Sequence, residues 1–126
     1  MKMMLLVPFV LLATLAFGQP ANGQTAKPPD IRSAYQCTGI AGNEKYTLPL
    51  AIEHRGENYF LMWGGGQIGL GVRVGNVLSV SFVDRATRIV GVILYTIANG
   101  TLDGKWVVGD GKIYPEKCVP ANSKEA

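Results

Sequence analysis

Apolar residues in this chain alternate with polar ones along short runs, and turn signals interrupt the runs about every ten residues, a rhythm that consecutive β-strands satisfy and helices do not. Tyr46, Leu48, Leu50 and Ile52 alternate with Thr47, Pro49, Ala51 and Glu53. That run predicts a half-buried strand, and its proline predicts an edge or a bulge, because the missing N–H interrupts a ladder. After the polar turn His54 to Asn58, Tyr59, Leu61 and Trp63 alternate with Phe60 and Met62 until Gly64-Gly65-Gly66 ends the strand. A third run spans Gln67 to Val74. Gly75-Asn76 is a two-residue hairpin signal into Val77 to Val83, where Leu78, Val80 and Phe82 oppose Ser79 and Ser81. Past Asp84 to Thr87, the stretch Ile89 to Ile97 is apolar on both faces, as a strand covered on both sides would be. Asn99-Gly100 favours a type I′ turn into Leu102 to Val108, and Asp110-Gly111 opens a last short strand that ends at Cys118.

These signals predict an all-β fold of seven to eight strands. A small antiparallel barrel is expected, since closure removes the edges that invite aggregation, and a two-sheet sandwich is the alternative. Glycines within the strands, at Gly69, Gly71, Gly91 and Gly104, suit the tight bends of a coiled small barrel. The chain has two cysteines, Cys37 and Cys118, one at each end of the strand-rich region. Pairing them closes a loop of about 80 residues and stabilises by roughly 4 to 5 kcal/mol, a useful staple for so small a core. The bond also demands that the first and last strands be neighbours.

Lys2 followed by the apolar run Met3 to Phe17 and by Gly18-Gln19-Pro20 has the organisation of a secretory signal peptide. The run is shorter than the roughly 20 residues of a membrane-spanning helix, and Pro8 interrupts it. Cleavage after Gly18 is expected, with Gly23 as the alternative. The expected organisation is a signal peptide over 1–18, a flexible leader over 19–33, the barrel over 34–119 and a tail over 120–126, with no membrane span once the signal is removed. Such a chain is exported to the periplasm or the extracellular space, where a disulfide persists and nucleotide cofactors are scarce. No cofactor is expected.

The net charge of +3 falls to +2 without Lys2, leaving eleven basic residues against nine acidic. Lys105, Lys112 and Lys117 are interleaved with Asp103, Asp110 and Glu116, so no basic stripe for nucleic acid is present. Gly64-x-Gly66-x-x-Gly69, with Asp84 downstream, imitates a dinucleotide fingerprint. The residues that follow alternate like a strand, whereas the fingerprint needs a helix N-terminus at the pyrophosphate.

Tyr59-x-Leu61-x-Trp63, Gly69-x-Gly71, Gly75-Asn76-x-Leu78-Ser79-Val80, Gly91-Val92-x-x-Tyr95 and Gly100-x-Leu102-x-Gly104-x-Trp106 follow one another in this order. Over about Tyr46 to Glu116 the chain resembles a family of small exported bacterial β proteins, some of which carry the name fibronectin-binding protein. The resemblance implies an exported β fold without known enzymatic activity. The chain departs from that pattern after Trp106, where Tyr114-Pro115-Glu116 leads into a cysteine.

Candidate functional residues fall into two groups. Trp63 and Trp106 each end an alternating run and should point inward, either as core or, with Tyr59 and Tyr95, as an aromatic wall at a barrel mouth. The turns carrying His54, Arg55 and Asn58, and Asp84, Arg85 and Arg88, are candidate partner loops. His54, the single histidine, would serve as a general base only beside a nucleophile such as Ser79 or Ser81 and an orienting Glu53. One histidine and two bonded cysteines make no zinc site, so no metal and no catalytic set is expected. The leading expectation is a non-enzymatic binding protein that presents its loops to a protein partner, a hydrolase inhibitor being one form of it. The alternative is a carrier of a small apolar or sugar ligand in a cavity lined by Trp63, Tyr95 and Trp106, although a barrel of this length is tight for a large cavity.

Overall fold

The computed structural model describes residues 30–121; the expected signal peptide and most of the expected leader and tail lie outside them. Eight strands follow one another: β1 (Ala34–Ala41), β2 (Glu44–Arg55), β3 (Asn58–Trp63), β4 (Gln67–Val74), β5 (Val77–Asp84), β6 (Val90–Ala98), β7 (Thr101–Val107) and β8 (Tyr114–Pro120). Each pairs antiparallel with its sequence neighbour, and β1 pairs with β8, so the meander is a closed barrel and not a sandwich. Cys37 lies directly opposite Cys118 across that closing seam, and the two form a disulfide buried inside the barrel.

Alternation sorts the side chains, because successive residues of a strand point to opposite faces. Tyr35, Leu50, Ile52, Leu61, Leu78, Val80, Ile93, Tyr95, Ile97 and Leu102 fill the interior. The expected proline interruption has no edge to mark in a closed barrel. Pro49 sits where β2 runs past the last residue of β3, and its carbonyl accepts the N–H of Gly64 at 2.9 Å. N–H and C=O of one strand residue point to the same side, so the N–H that proline lacks falls beyond the end of the ladder.

One expectation needs correcting. The double-sided apolar character of β6 does not mean that it is covered on both faces: Ile93, Tyr95 and Ile97 point inward, while Val90, Val92 and Leu94 are about half exposed or more. On the flanking outer face, Leu70 and Val92 stand on either side of Ser81, and Val72 and Leu94 on either side of Ser79.

The barrel has two different ends. One carries both termini of the described chain and the tight turns after β2, β4 and β6. There Asn99 (φ 51°) and Gly100 (φ 79°) both take positive φ, as the expected type I′ turn requires. Ile31 packs against the core at this end, and the carbonyl of Ser33 accepts the N–H of Ile52. The other end, the mouth, carries the turns after β1 and β3 and the longer connections after β5 and β7.

Candidate ligand cavity at the barrel mouth

Large rings can crowd the inside of so small a barrel only where a neighbouring strand gives them room, and glycine provides it. Tyr46 faces Gly39, Phe82 faces Gly91 and Tyr95 faces Gly104 in directly paired positions. A Cβ at Gly91 would stand 2.5 Å from the Phe82 ring, one at Gly104 2.6 Å from the Tyr95 ring, and one at Gly39 would strike Tyr46. At Gly69 it would meet the Trp63 indole at 3.2 Å. These glycines are sockets for rings, which is a different reason for their presence from the bending expected of them.

Three of these rings, Tyr46, Phe82 and Trp63, line a cavity of about 450 Å3. Its walls include Trp63, Phe82, Trp106, Leu48 and Ile93, and Glu116 and Tyr46 also line it. Tyr46 and Trp106 are 6.5 Å apart between ring centroids, Trp106 and Phe82 6.2 Å, and Phe82 and Trp63 6.0 Å. Interplanar angles of 60°, 77° and 62° make each contact a corner between two walls and not a stack that would fill the axis. Tyr114 packs on Trp106 as well, 4.6 Å between ring centroids.

Among the described residues Glu116 is the one buried charged residue, 4% exposed. Its Oε1 accepts a hydrogen bond from the Tyr46 hydroxyl at 2.6 Å, and its Oε2 accepts from the Tyr95 hydroxyl and, at 3.4 Å, from Trp63 Nε1. Neutral donors therefore hold the carboxyl, and among the described residues no Lys, Arg or His lines the cavity with it. Burial first, and then the adjacent carboxylate, push the hydroxyls of Tyr95 and Tyr46 well above the ordinary tyrosine range, so both stay protonated as donors. Cys118 Sγ touches Glu116 Oε2 at 3.4 Å. Glu116 and the two sulfurs cluster closely enough to suggest a metal site, but both sulfurs are spent in the disulfide, and thiolates are what a metal would need.

At the rim, Gln67 of β4 and Asp84 of β5 are paired across the ladder, and Gln67 Nε2 donates to Asp84 Oδ2 at 2.9 Å. A carboxylate only accepts, so this bond fixes which way the amide points. Gln67 Oε1 is left buried without a partner, and Gly65 leaves space for the amide to fold over the turn. The other Asp84 oxygen accepts from the N–H groups of Ala86 at 3.0 Å and Thr87 at 3.1 Å, which shapes the β5–β6 loop. These bonds, led by that from Thr87, lower the Asp84 pKa. Arg88 closes the loop with φ at 68°, a conformation unusual for a residue with a side chain. The second unpartnered buried atom is Trp106 Nε1, which is near enough to Tyr46 to favour its ionised form slightly but makes no hydrogen bond of acceptable geometry.

Of the aromatic residues expected at a mouth, Trp63 and Trp106 line the cavity. Tyr95 lies beneath it, fully buried on Glu116. Tyr59 is at the opposite end, stacked on His54 at 4.5 Å. The two candidate loops are not brought together: His54, Arg55 and Asn58 belong to the terminal end, and Asp84, Arg85 and Arg88 to the mouth. Arg55 pairs locally with Glu53 and lies 4.5 Å over the Phe60 ring. Ser79 and Ser81 pair across the ladder with outward-facing positions and are not presented to His54. Glu116, Tyr46, Phe82 and Gln67 are the site residues that sequence reasoning missed. Glu116 could have been found from its phase, because it stands two residues before Cys118 and so shares the inward face. No known protein family, characterised protein or solved structure matches the chain.

Proposed function

We propose that this chain is an exported, non-enzymatic binding protein that takes up a small ligand with an apolar body through the mouth of the barrel. The cavity carries the reading: about 450 Å3 lies within the range of small-molecule sites, and its walls are aromatic and aliphatic with a few converging polar groups. Trp106 Nε1 and Gln67 Oε1 support it as well, since a buried donor and a buried acceptor without partners are costly unless something meets them. So few polar atoms suit an apolar body better than a sugar. Export draws its support from the Lys2 to Pro20 segment and is compatible with the disulfide. Presentation of loops to a protein partner has less support, because the loops concerned occupy opposite ends of the barrel.

The test is a titration with the neutral dye N-phenyl-1-naphthylamine, whose emission rises in an apolar site. Saturable one-to-one binding is expected, and Ala41→Trp, which puts an indole at the rim, should abolish it while the circular dichroism stays unchanged. Absence of saturable binding, or binding indifferent to Ala41→Trp, would overturn the proposal.

A further inference from the structure

Resting on that reading, we propose that the ligand is an organic cation: a protonated amine carried on an apolar body, with the ammonium held among the aromatic walls. Three observations converge on it. The first is the wall itself. Tyr46, Trp106, Phe82 and Trp63 meet at successive corners 6.0 to 6.5 Å apart and all line one space, and a cation within reach of such a group of rings is attracted by any π face open to it.

The second is charge. Among the described residues the lining contains two carboxyl groups, Glu116 inside and Asp84 at the rim, and no basic side chain. Asp84 has its own donors in the β5–β6 loop and Gln67, but Glu116 has only two phenols and an indole. A buried carboxylate without a cation is an expensive arrangement for a fold to retain, and a cationic guest relieves it where an anionic one would aggravate it. The third is the free acceptor. Gln67 Oε1 is buried without a donor, and an ammonium supplies N–H groups. The same guest can accept from Trp106 Nε1 if its body carries one oxygen.

The experiment is displacement of bound N-phenyl-1-naphthylamine from the wild-type protein, near pH 7, by three compounds of one shape: naphthalen-1-ylmethylammonium, naphthalen-1-ylmethanol and 1-naphthoate. The ammonium is expected to displace the dye at about tenfold lower concentration than the alcohol, with the naphthoate weakest, as a desolvated cation–π contact implies. Glu116→Gln should narrow the preference for ammonium over alcohol to about threefold, because the carboxyl's charge is lost while the aromatic walls remain. Because the ranking is read first on the wild-type protein, a Glu116→Gln variant that failed to fold would not remove the test. Alcohol or naphthoate binding as tightly as the ammonium would overturn the cation and leave the apolar cavity standing. Failure of the dye itself to bind would remove both.

Discussion

The two ends of this barrel are built on opposite plans. At the terminal end, Tyr35, Ile52, Leu78, Ile97 and Leu102 fill the interior, Ile31 packs on them, and tight turns join the strands. At the mouth, Phe82 and Trp63, seated against glycines, and Trp106 brace one another edge to face around an open space, above a buried acid held by phenols. Aliphatic side chains interdigitate and leave no room; rigid rings held at steep angles do not collapse into the gap between them. Stability is thus concentrated toward one end and the seam, which leaves the other free to keep a cavity. The disulfide at mid-barrel couples the two, since Cys118 lies on the β1–β8 seam and touches Glu116 below the cavity.

The comparison breaks most severely at that seam. Replacing Cys37 and Cys118 by serine releases a crosslink spanning 81 residues and should cost about 4 to 5 kcal/mol, lowering the melting temperature by about 20 °C or more. An unchanged melting curve would show that strand pairing alone closes the barrel. Next in size is Gly104→Ala. The new methyl would stand 2.6 Å from a fully buried tyrosine ring, and overpacking of this kind should cost about 3 kcal/mol. If the rings at the mouth are socketed as described, the same variant should also weaken dye binding, whereas Val92→Ala on the outer face should leave it alone.

Tyr95→Phe takes one donor from a buried carboxylate without changing the ring, at a cost of about 2 kcal/mol. It also sharpens a pH prediction. Burial raises Tyr35, Tyr46 and Tyr95 above the ordinary value of 10.0, with Glu116 adding to the effect on the last two. Below pH 10 folded and unfolded chains are both protonated at these hydroxyls, and their contribution is intact. As the pH rises beyond that, the unfolded chain loses its protons first, so stability falls until the folded-state values are passed, by about 1.4 kcal/mol per pH unit for each tyrosine protonated only when folded. Denaturant titrations above pH 10 should show this decline, and Tyr95→Phe should make it shallower by one proton. Equal slopes for the two proteins would mean that Tyr95 is not shielded.

How much of this was legible in the sequence also differs between the ends. Turn chemistry marked Gly75-Asn76 and Asn99-Gly100, and alternation placed β4 over Gln67–Val74 as found. No alternating run announced β1, because its inward positions include Cys37 and Gly39, which give little apolar contrast. Trp63 and Trp106 could be read as inward-facing from phase alone. Which other rings share their level could not, since strand stagger depends on register: Tyr59 lies two residues before Leu61 in phase with Trp63, yet sits at the opposite end. Glu116 reads as a break in the pattern until Cys118 is known to point inward. The sockets are long-range features too, because a glycine opposite a ring is visible only once the strands are paired.

The smallest effect tests whether the rim is a separate local structure. Asp84 links the β5–β6 loop, through Ala86 and Thr87, to Gln67 on β4, and these hydrogen bonds lower its pKa from 3.8. A carboxylate with a depressed folded-state value stabilises above its unfolded value and loses that contribution as the pH falls through the folded one. Asp84→Ala removes the acceptor of the Ala86 and Thr87 N–H groups and of Gln67 Nε2 together, so the clasp across the rim should open. We expect the Ala86 and Thr87 amides to exchange faster with solvent, with the melting temperature almost unchanged, and the wild-type protein should show the same faster exchange once acid protonates Asp84. Unaltered exchange at those two amides would mean that the loop is held by the bonds of Asp84 N–H to the Ile89 carbonyl and of Arg88 N–H to the Asp84 carbonyl, leaving Gln67 without a role in shaping the mouth.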